Sequence, residues 1–281
     1  MNPILQIDNL CFGYGKELIL KDISFSINRG EVISIIGPNG SGKTTLIKAV
    51  SKYITPQKGE VYLNGDNIKE MSGKDLAKYI AVVMQSADPV AMSVEDYVLL
   101  GRLPFLEKFQ FFETRKDIET AREYMALTDT LKLKNAKMNE ISGGERQLAS
   151  IARALTQCPA LLILDEPTSH LDITHQVQIL DLISSLKQKL SLTVLMVLHD
   201  LNLAAEYSDR LILLNTLKGR PNLKGRPETN GSIYKTGKPE KVLTQSSIHE
   251  VYNTRVMVRQ NPVSTKPCIF IVNQNVLTQG E

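Results

Sequence analysis

"GPNGSGKTT", Gly37 to Thr45, follows the apolar run "EVISII" and leads into "KTTLIKAV". It fits G-x-x-x-x-G-K-[ST] in the context where that pattern has a physical meaning, with a strand entering and a helix leaving. Glycines let the backbone turn tightly, so that successive N–H groups point inward, and the positive end of the following helix adds to their field. Gly37, Pro38, Asn39, Gly40, Ser41, Gly42, Lys43, Thr44 and Thr45 are therefore the expected cradle for the phosphates of a nucleotide. Lys43 is expected to reach the β- and γ-phosphates, and the Thr44 hydroxyl to ligate Mg²⁺.

Hydrolysis needs a second half that holds the metal and a water. "LLILDEP" is an apolar strand ending in two acids, and in open α/β folds ligands collect at the carboxyl ends of strands. Asp165 is the natural Mg²⁺ partner, and Glu166 beside it is placed to polarise an attacking water.

Working outward, apolar residues alternate through "DISFSIN" at Ile23, Phe25 and Ile27, the period of a half-buried strand, and "GEVYLNG" adds another short strand. From about Ser93 to Gln157 the pattern turns helical, in "SVEDYVLLGR", "ETRKDIETAREYMAL" and "GGERQLASIARALTQ". Strand and helix then alternate through "LLILDE", "ITHQVQILDLISSLKQKL", "TVLMVLHD", "LNLAAEYS" and "RLILLN", which predicts a parallel sheet with helices packed on its faces. The short repeat "LKGRPN", "LKGRPE" reads as a solvated basic loop rich in Gly and Pro.

Composition narrows the class. The chain has 281 residues, 42% hydrophobic and 22% charged, as a globular protein has. A net charge of +3 with scattered Lys and Arg leaves no electrostatic footprint for nucleic acid. Cys11, Cys158 and Cys268 lack CxxC spacing and read as unpaired thiols of a reducing compartment. The amino terminus carries no secretory pattern, and the longest apolar runs fall well short of the ~20 residues that cross a bilayer. If the protein works at a membrane, another chain is expected to span it.

With the phosphate loop, "ISGGERQ" (Ile141 to Gln147) and "LLILDEP" in this order, the chain resembles the nucleotide-binding subunits of ABC transporters over about its first 250 residues. The resemblance implies an α/β fold of P-loop NTPase type. Its sheet is expected to be mostly parallel, with an amino-terminal antiparallel β part and an inserted helical subdomain at about 88–157. An ATPase domain at 1–250 would precede a short carboxy-terminal extension at 251–281. It also implies ATP and Mg²⁺ as ligands. Tyr14 looks like the aromatic on which adenine stacks, and Gln85 like the glutamine that touches Mg²⁺ and the attacking water. "SHLD", Ser169 to Asp172, looks like the loop running between two subunits, and His199 like the switch histidine facing the γ-phosphate. Glu166, His199, Lys43 and Gln85 would then carry the catalysis.

The lysine-free glycine pair of "ISGGERQ" is explained the same way. In the family this loop closes on the γ-phosphate held by the other subunit, with Ser142, Gly143, Gly144, Glu145 and the Asp172 loop acting in trans. Glu145, where glutamine is commoner, repels a phosphate unless it turns toward the ribose or a cation. "GRLPFLEKFQFF" holds Phe105, Phe109, Phe111 and Phe112, four of seven phenylalanines. They are either the core of the helical subdomain or an apolar surface awaiting a partner.

"MSVEDYVLLGRLPF", "DEPTSHLDITHQ" and "VLHDLNLAAEYSD" resemble the branch that imports iron siderophores, haem and cobalamin. Leu148, where that branch often has Arg, and a long loop from Thr216 to Lys235, in place of a tight hairpin, depart from it. The expected partners are a second copy of the chain, a polytopic membrane permease and an external solute-binding protein, with no nucleic acid. The expected location is peripheral, on the cytoplasmic face of the inner membrane. A soluble ABC ATPase of the iron–sulfur assembly type is the alternative, and an export ATPase a third reading.

Overall fold

Alternating burial along the amino-terminal strands starts the fold. The computed structural model describes residues 3–14, 17–85, 90–108, 110, 112–221 and 227–272. In it, β1 (Leu5–Tyr14) runs antiparallel to β2 (Glu17–Ile27). Ile23, Phe25 and Ile27 are all buried, as side chains of period two on one face must be. β3 (Val32–Ile36) is buried at every position and runs through the phosphate loop into α1 (Lys43–Val50). β4 (Lys58–Leu63) pairs antiparallel with β1, and β5 (Asp66–Asn67) with β4.

The chain forms two compact units, Met1–Lys69 with Leu195–Glu281, and Glu70–Val194. The second opens with α2 (Gly73–Leu76), β6 (Ile80–Val83) and α3 (Val94–Leu99), which tightens into a 3₁₀ turn, Leu100–Phe105. α4 (Arg115–Leu127) and α5 (Gly143–Leu155) complete the helical part. Val94, Tyr97, Val98, Ala121, Met125, Met138, Ile141, Ala149 and Ala152 are its core. Three caps set the helix starts: Ser93 for α3, and the capping boxes of Thr114 with Asp117 and of Ser142 with Glu145. β7 (Leu161–Asp165) lies parallel to β6 from Ile80↔Leu161 to Val83↔Leu164. α6 (Ile173–Leu190) buries Leu180, Ile183 and Leu186, while Val177 is half-buried.

The unit boundary falls inside β8 (Thr193–Val197). Back in the first unit, α7 (Leu201–Tyr207) leads to β9 (Arg210–Pro221), which lies parallel to β3 from Ile33↔Arg210 to Ile36↔Leu213. β10 (Pro227–Gly237) pairs antiparallel with β9 and meets β2 in parallel at Gly231↔Leu20. α8 (Pro239–Val242), α9 (Gln245–Tyr252) and the hairpin β11 (Val256–Gln260), β12 (Pro267–Ile271) end the described chain. The hairpin is tied to α7, because the Asn202 amide donates to Ile269 O at 3.2 Å and accepts from Ile269 N at 2.7 Å. The architecture is mixed α/β of P-loop NTPase type with an antiparallel part at the amino end. Among the described residues no helix is long and apolar enough to cross a membrane.

One expectation is corrected and one open alternative is narrowed. The stretch 216–235 is not a long loop: outside residues 222–226, which lie beyond the described ones, it belongs to the β9–β10 hairpin. Pro221↔Pro227 forms the outermost described pair, the end of a ladder, where residues without N–H are tolerated. Of the two readings of the phenylalanines, the two described ones, Phe105 and Phe112, fit the surface and not the helical core. Phe112 is 82% exposed and Phe105 36%, with the Arg102 guanidinium 4.0 Å over the Phe105 ring. Phe109 and Phe111 lie outside the described residues.

Candidate active site

The phosphate loop is held in the first unit. Gly40 (φ +81°) and Gly42 (φ +88°) adopt left-handed backbone, the conformation that turns the loop's N–H groups inward. At Gly42 a Cβ would also lie 2.5 Å from Leu20 Cδ2. Lys43 is 6% exposed, and its Nζ donates to the carbonyls of Gly37 at 2.8 Å and Pro38 at 3.0 Å. Ser41 is fully buried and its Oγ has no hydrogen-bond partner among the described residues, a cost that a bound acceptor removes. An orphaned hydroxyl, a lysine resting on loop carbonyls and open space beside Gly40 fit a polyphosphate. Asn39 is exposed, while Pro38, Thr44 and Thr45 are half-buried.

Two later segments support this loop without announcing themselves in the sequence. Gly231 of β10 lies so close to Ser41 that a Cβ would overlap the Ser41 carbonyl oxygen. Tyr252, the last residue of α9, accepts a hydrogen bond from the Gly37 N–H, and burial holds its phenol well above the usual tyrosine range. The same unit carries His199, exposed just beyond β8, followed by Asp200, which caps α7 by accepting from Asn202 N and Leu203 N. Tyr14 closes β1 opposite Glu17. Its side chain lies outside the described residues.

The second unit holds the acids. Asp165, 1% exposed, ends β7. Glu166 follows with φ +54°, a left-handed conformation that costs a residue with a Cβ roughly 1–2 kcal/mol and is typical of functional sites. Its Oε2 accepts from Gln85 Nε2 at 2.7 Å, so the structure brings together two of the residues expected to act on the water. Within this unit the Gln85 amide and the Asp165 carboxylate offer oxygen donors, the kind Mg²⁺ takes.

The glycine pair opens α5 as expected, and Glu145 turns back onto the start of its own helix. Its Oε2 accepts from Ser142 N at 2.8 Å while Ser142 Oγ accepts from Glu145 N at 3.2 Å. The Ser142 N–H, with its hydroxyl behind it, holds the Glu145 carboxyl below the usual range. The Ser-x-x-Glu spacing of "SGGE" is the sequence signal for this box. Asp172 caps α6 in the same way. Its Oδ1 accepts from His175 N at 2.9 Å and lies 2.9 Å from His175 Nδ1, and the backbone N–H, then the ring, lower its carboxyl.

A phosphate loop on a strand–helix turn, together with an acid pair at a strand end beside a glutamine, defines a P-loop ATPase. Residues 20–169 match the ABC transporter family. The chain is 35% identical over 266 residues to the ferric enterobactin transport ATP-binding protein FepC of Escherichia coli K12, covering 94% of this chain and 93% of that one. Among solved structures it resembles a putative metal-chelate type ABC transporter in an inward-facing conformation, with a TM-score of 0.80, 26% identity and coverage of 98% and 100%. It also resembles the ATP-binding cassette MJ0796, a dimer in a post-hydrolysis state bound to ADP and Pi, with a TM-score of 0.67, 27% identity and coverage of 83% and 98%. The chain belongs to the ABC transporter family, and it is of the ATP-hydrolysing, transport-driving kind.

Proposed function

We propose that this chain is the ATPase of an importer that takes up a metal chelate, such as an iron siderophore or haem, or cobalamin, through a separate membrane permease. Its likeness to a ferric enterobactin transport protein along nearly the whole of both chains carries the reading. Two copies bind ATP between them on the cytoplasmic face of the membrane, and an external binding protein delivers the solute. The dimer of the related cassette supports this arrangement.

Lys43, Ser41 and the loop N–H groups hold the phosphates, and Tyr14 stacks the base. Thr44, Gln85 and Asp165 would hold Mg²⁺, which would supply neutralisation of phosphate charge. Glu166 polarises the water, and its hydrogen bond to Gln85 fixes which oxygen faces it. His199 steadies the γ-phosphate. From the other copy, Ser142, Gly143, Gly144 and the Asp172 loop complete the site, with Glu145 holding the turn in shape. The readout is closure and reopening of the pair, which moves the permease.

Purified with its permease and challenged with candidate chelates on their binding proteins, the chain is expected to hydrolyse ATP faster for one of them. Stimulation by no siderophore, haem or cobalamin would overturn the solute class. Replacing Glu166 with Gln is expected to keep ATP binding and stop turnover, and undiminished phosphate release would remove Glu166 from the mechanism.

A further inference from the structure

The second unit contains a contact that joins the two loops assigned above to the partner's nucleotide. His175 lies in the first turn of α6, three residues after Asp172, and its ring is braced by that carboxylate at 2.9 Å. The other side of the imidazole lies against Gly144 in the first turn of α5. A Cβ there would collide with His175 Cδ2 and lie 3.0 Å from Cγ and 3.1 Å from Nε2. Beside it, Leu171 Cδ2 would stand 3.8 Å from a Cβ on Gly143. Gln176 strengthens the same junction by donating to Leu171 O at 2.9 Å.

The second glycine of the pair is thus filled from outside by an imidazole, which is itself fixed to the aspartate loop. From this geometry we propose that His175 is a positioning residue for ATP hydrolysis: seated on Gly144 and braced by Asp172, it makes the Asp172 loop and the Ser142–Gly144 turn close on the partner copy as one body. The inference rests on the two-copy reading. It adds a residue that touches no substrate and acts through two loops that do. A displacement of about 1 Å at a reacting centre can cost ~100-fold in rate, so the seat is expected to affect kcat. KM for ATP is left alone, since the nucleotide is gripped by Lys43 and its loop in the other unit.

The test uses the full chain with its permease. His175→Ala is expected to lower kcat between about ten- and a hundred-fold with KM and the thermal midpoint unchanged. If that variant unfolds early, His175→Asn, which keeps an N–H donor for Asp172 but has no ring to seat on Gly144, is measured in its place, with the same kcat loss expected. For the full chain without permease, in a Glu166→Gln background, ATP-driven pairing is followed by light scattering: pairing that persists in Glu166→Gln but is lost or weakened with His175→Ala supports the proposal. Unchanged kcat together with unchanged pairing in the His175 variant overturns it. Failure of Glu166→Gln itself to pair would instead overturn the two-copy reading beneath it.

Discussion

Gly231 lies with its Cα against the backbone carbonyl of Ser41, leaving no room for a methyl group between β10 and the phosphate loop. The obstacle is backbone on both sides, so it cannot be relieved by a rotamer change. Gly231→Ala is expected to weaken ATP binding about ten-fold, equivalent to ~1.4 kcal/mol and within the ~1–3 kcal/mol typical of overpacking. Equilibrium titration with a fluorescent ATP analogue measures it, and a wild-type Kd would show that the loop does not need this support.

Glu145 separates two roles that one substitution would confuse. Glutamine can fill the same capping box, whereas alanine leaves the Ser142 N–H without its acceptor. Glu145→Gln is expected to match wild type in thermal midpoint and ATP turnover. Glu145→Ala is expected to lose ~1 kcal/mol of stability in urea unfolding. Equal stability of both variants would mean that the box contributes nothing.

Gln85→Glu would set a carboxylate in hydrogen-bond contact with Glu166. Two carboxylates at such a distance cannot both stay ionised, so the pair retains a proton to higher pH. A base that is protonated is inactive, so the acid limb of the pH–rate profile is expected to move up by about one unit or more, with activity recovering as pH rises. An unmoved acid limb would detach Gln85 from the base.

Asp117 joins the 3₁₀ turn to α4 through Arg102 Nε at 2.8 Å, with side chains only 9% and 11% exposed. Burial pushes the Asp117 carboxyl up, but the Thr114 hydroxyl and the Arg102 guanidinium outweigh it and hold it below its ordinary value of 3.8. A depressed carboxyl stabilises the fold above its unfolded pKa, and that stability is lost as pH falls through the folded one. Asp117→Asn is therefore expected to cost ~3 kcal/mol at neutral pH, as removal of one member of a buried pair does. The gap from wild type should narrow below about pH 4, as followed by urea unfolding. A gap constant down to pH 2 would deny the ionic role.

Local chemistry was legible in the sequence, and tertiary support was not. The phosphate loop and the acid pair are contiguous motifs whose meaning depends on the strand and helix next to them. α6 occupies the stretch marked by its apolar period, because one buried face is enough to place such a helix. The start of β9, "RLILLN", reads as a strand, but the rest of β9 and β10 escaped because their Gly, Pro and Lys content reads as loop, while they form by pairing with each other and with β2. Gly231 and Tyr252 are remote in sequence from the loop they touch, and nothing in their own neighbourhood says so. His175 was half legible: its spacing from Asp172 follows from helix geometry, but its seat on Gly144 comes from packing. For the phenylalanines, composition counted apolar residues without telling which side of the helical part they face.

Lys43 already rests on the carbonyl oxygens of Gly37 and Pro38, so nucleotide capture is an exchange of acceptors. The ammonium gives up these two neutral oxygens for charged ones, and what they contributed is subtracted from the free energy gained. An exchange of this kind discriminates against weak anions, which offer the lysine little beyond what the backbone already gives.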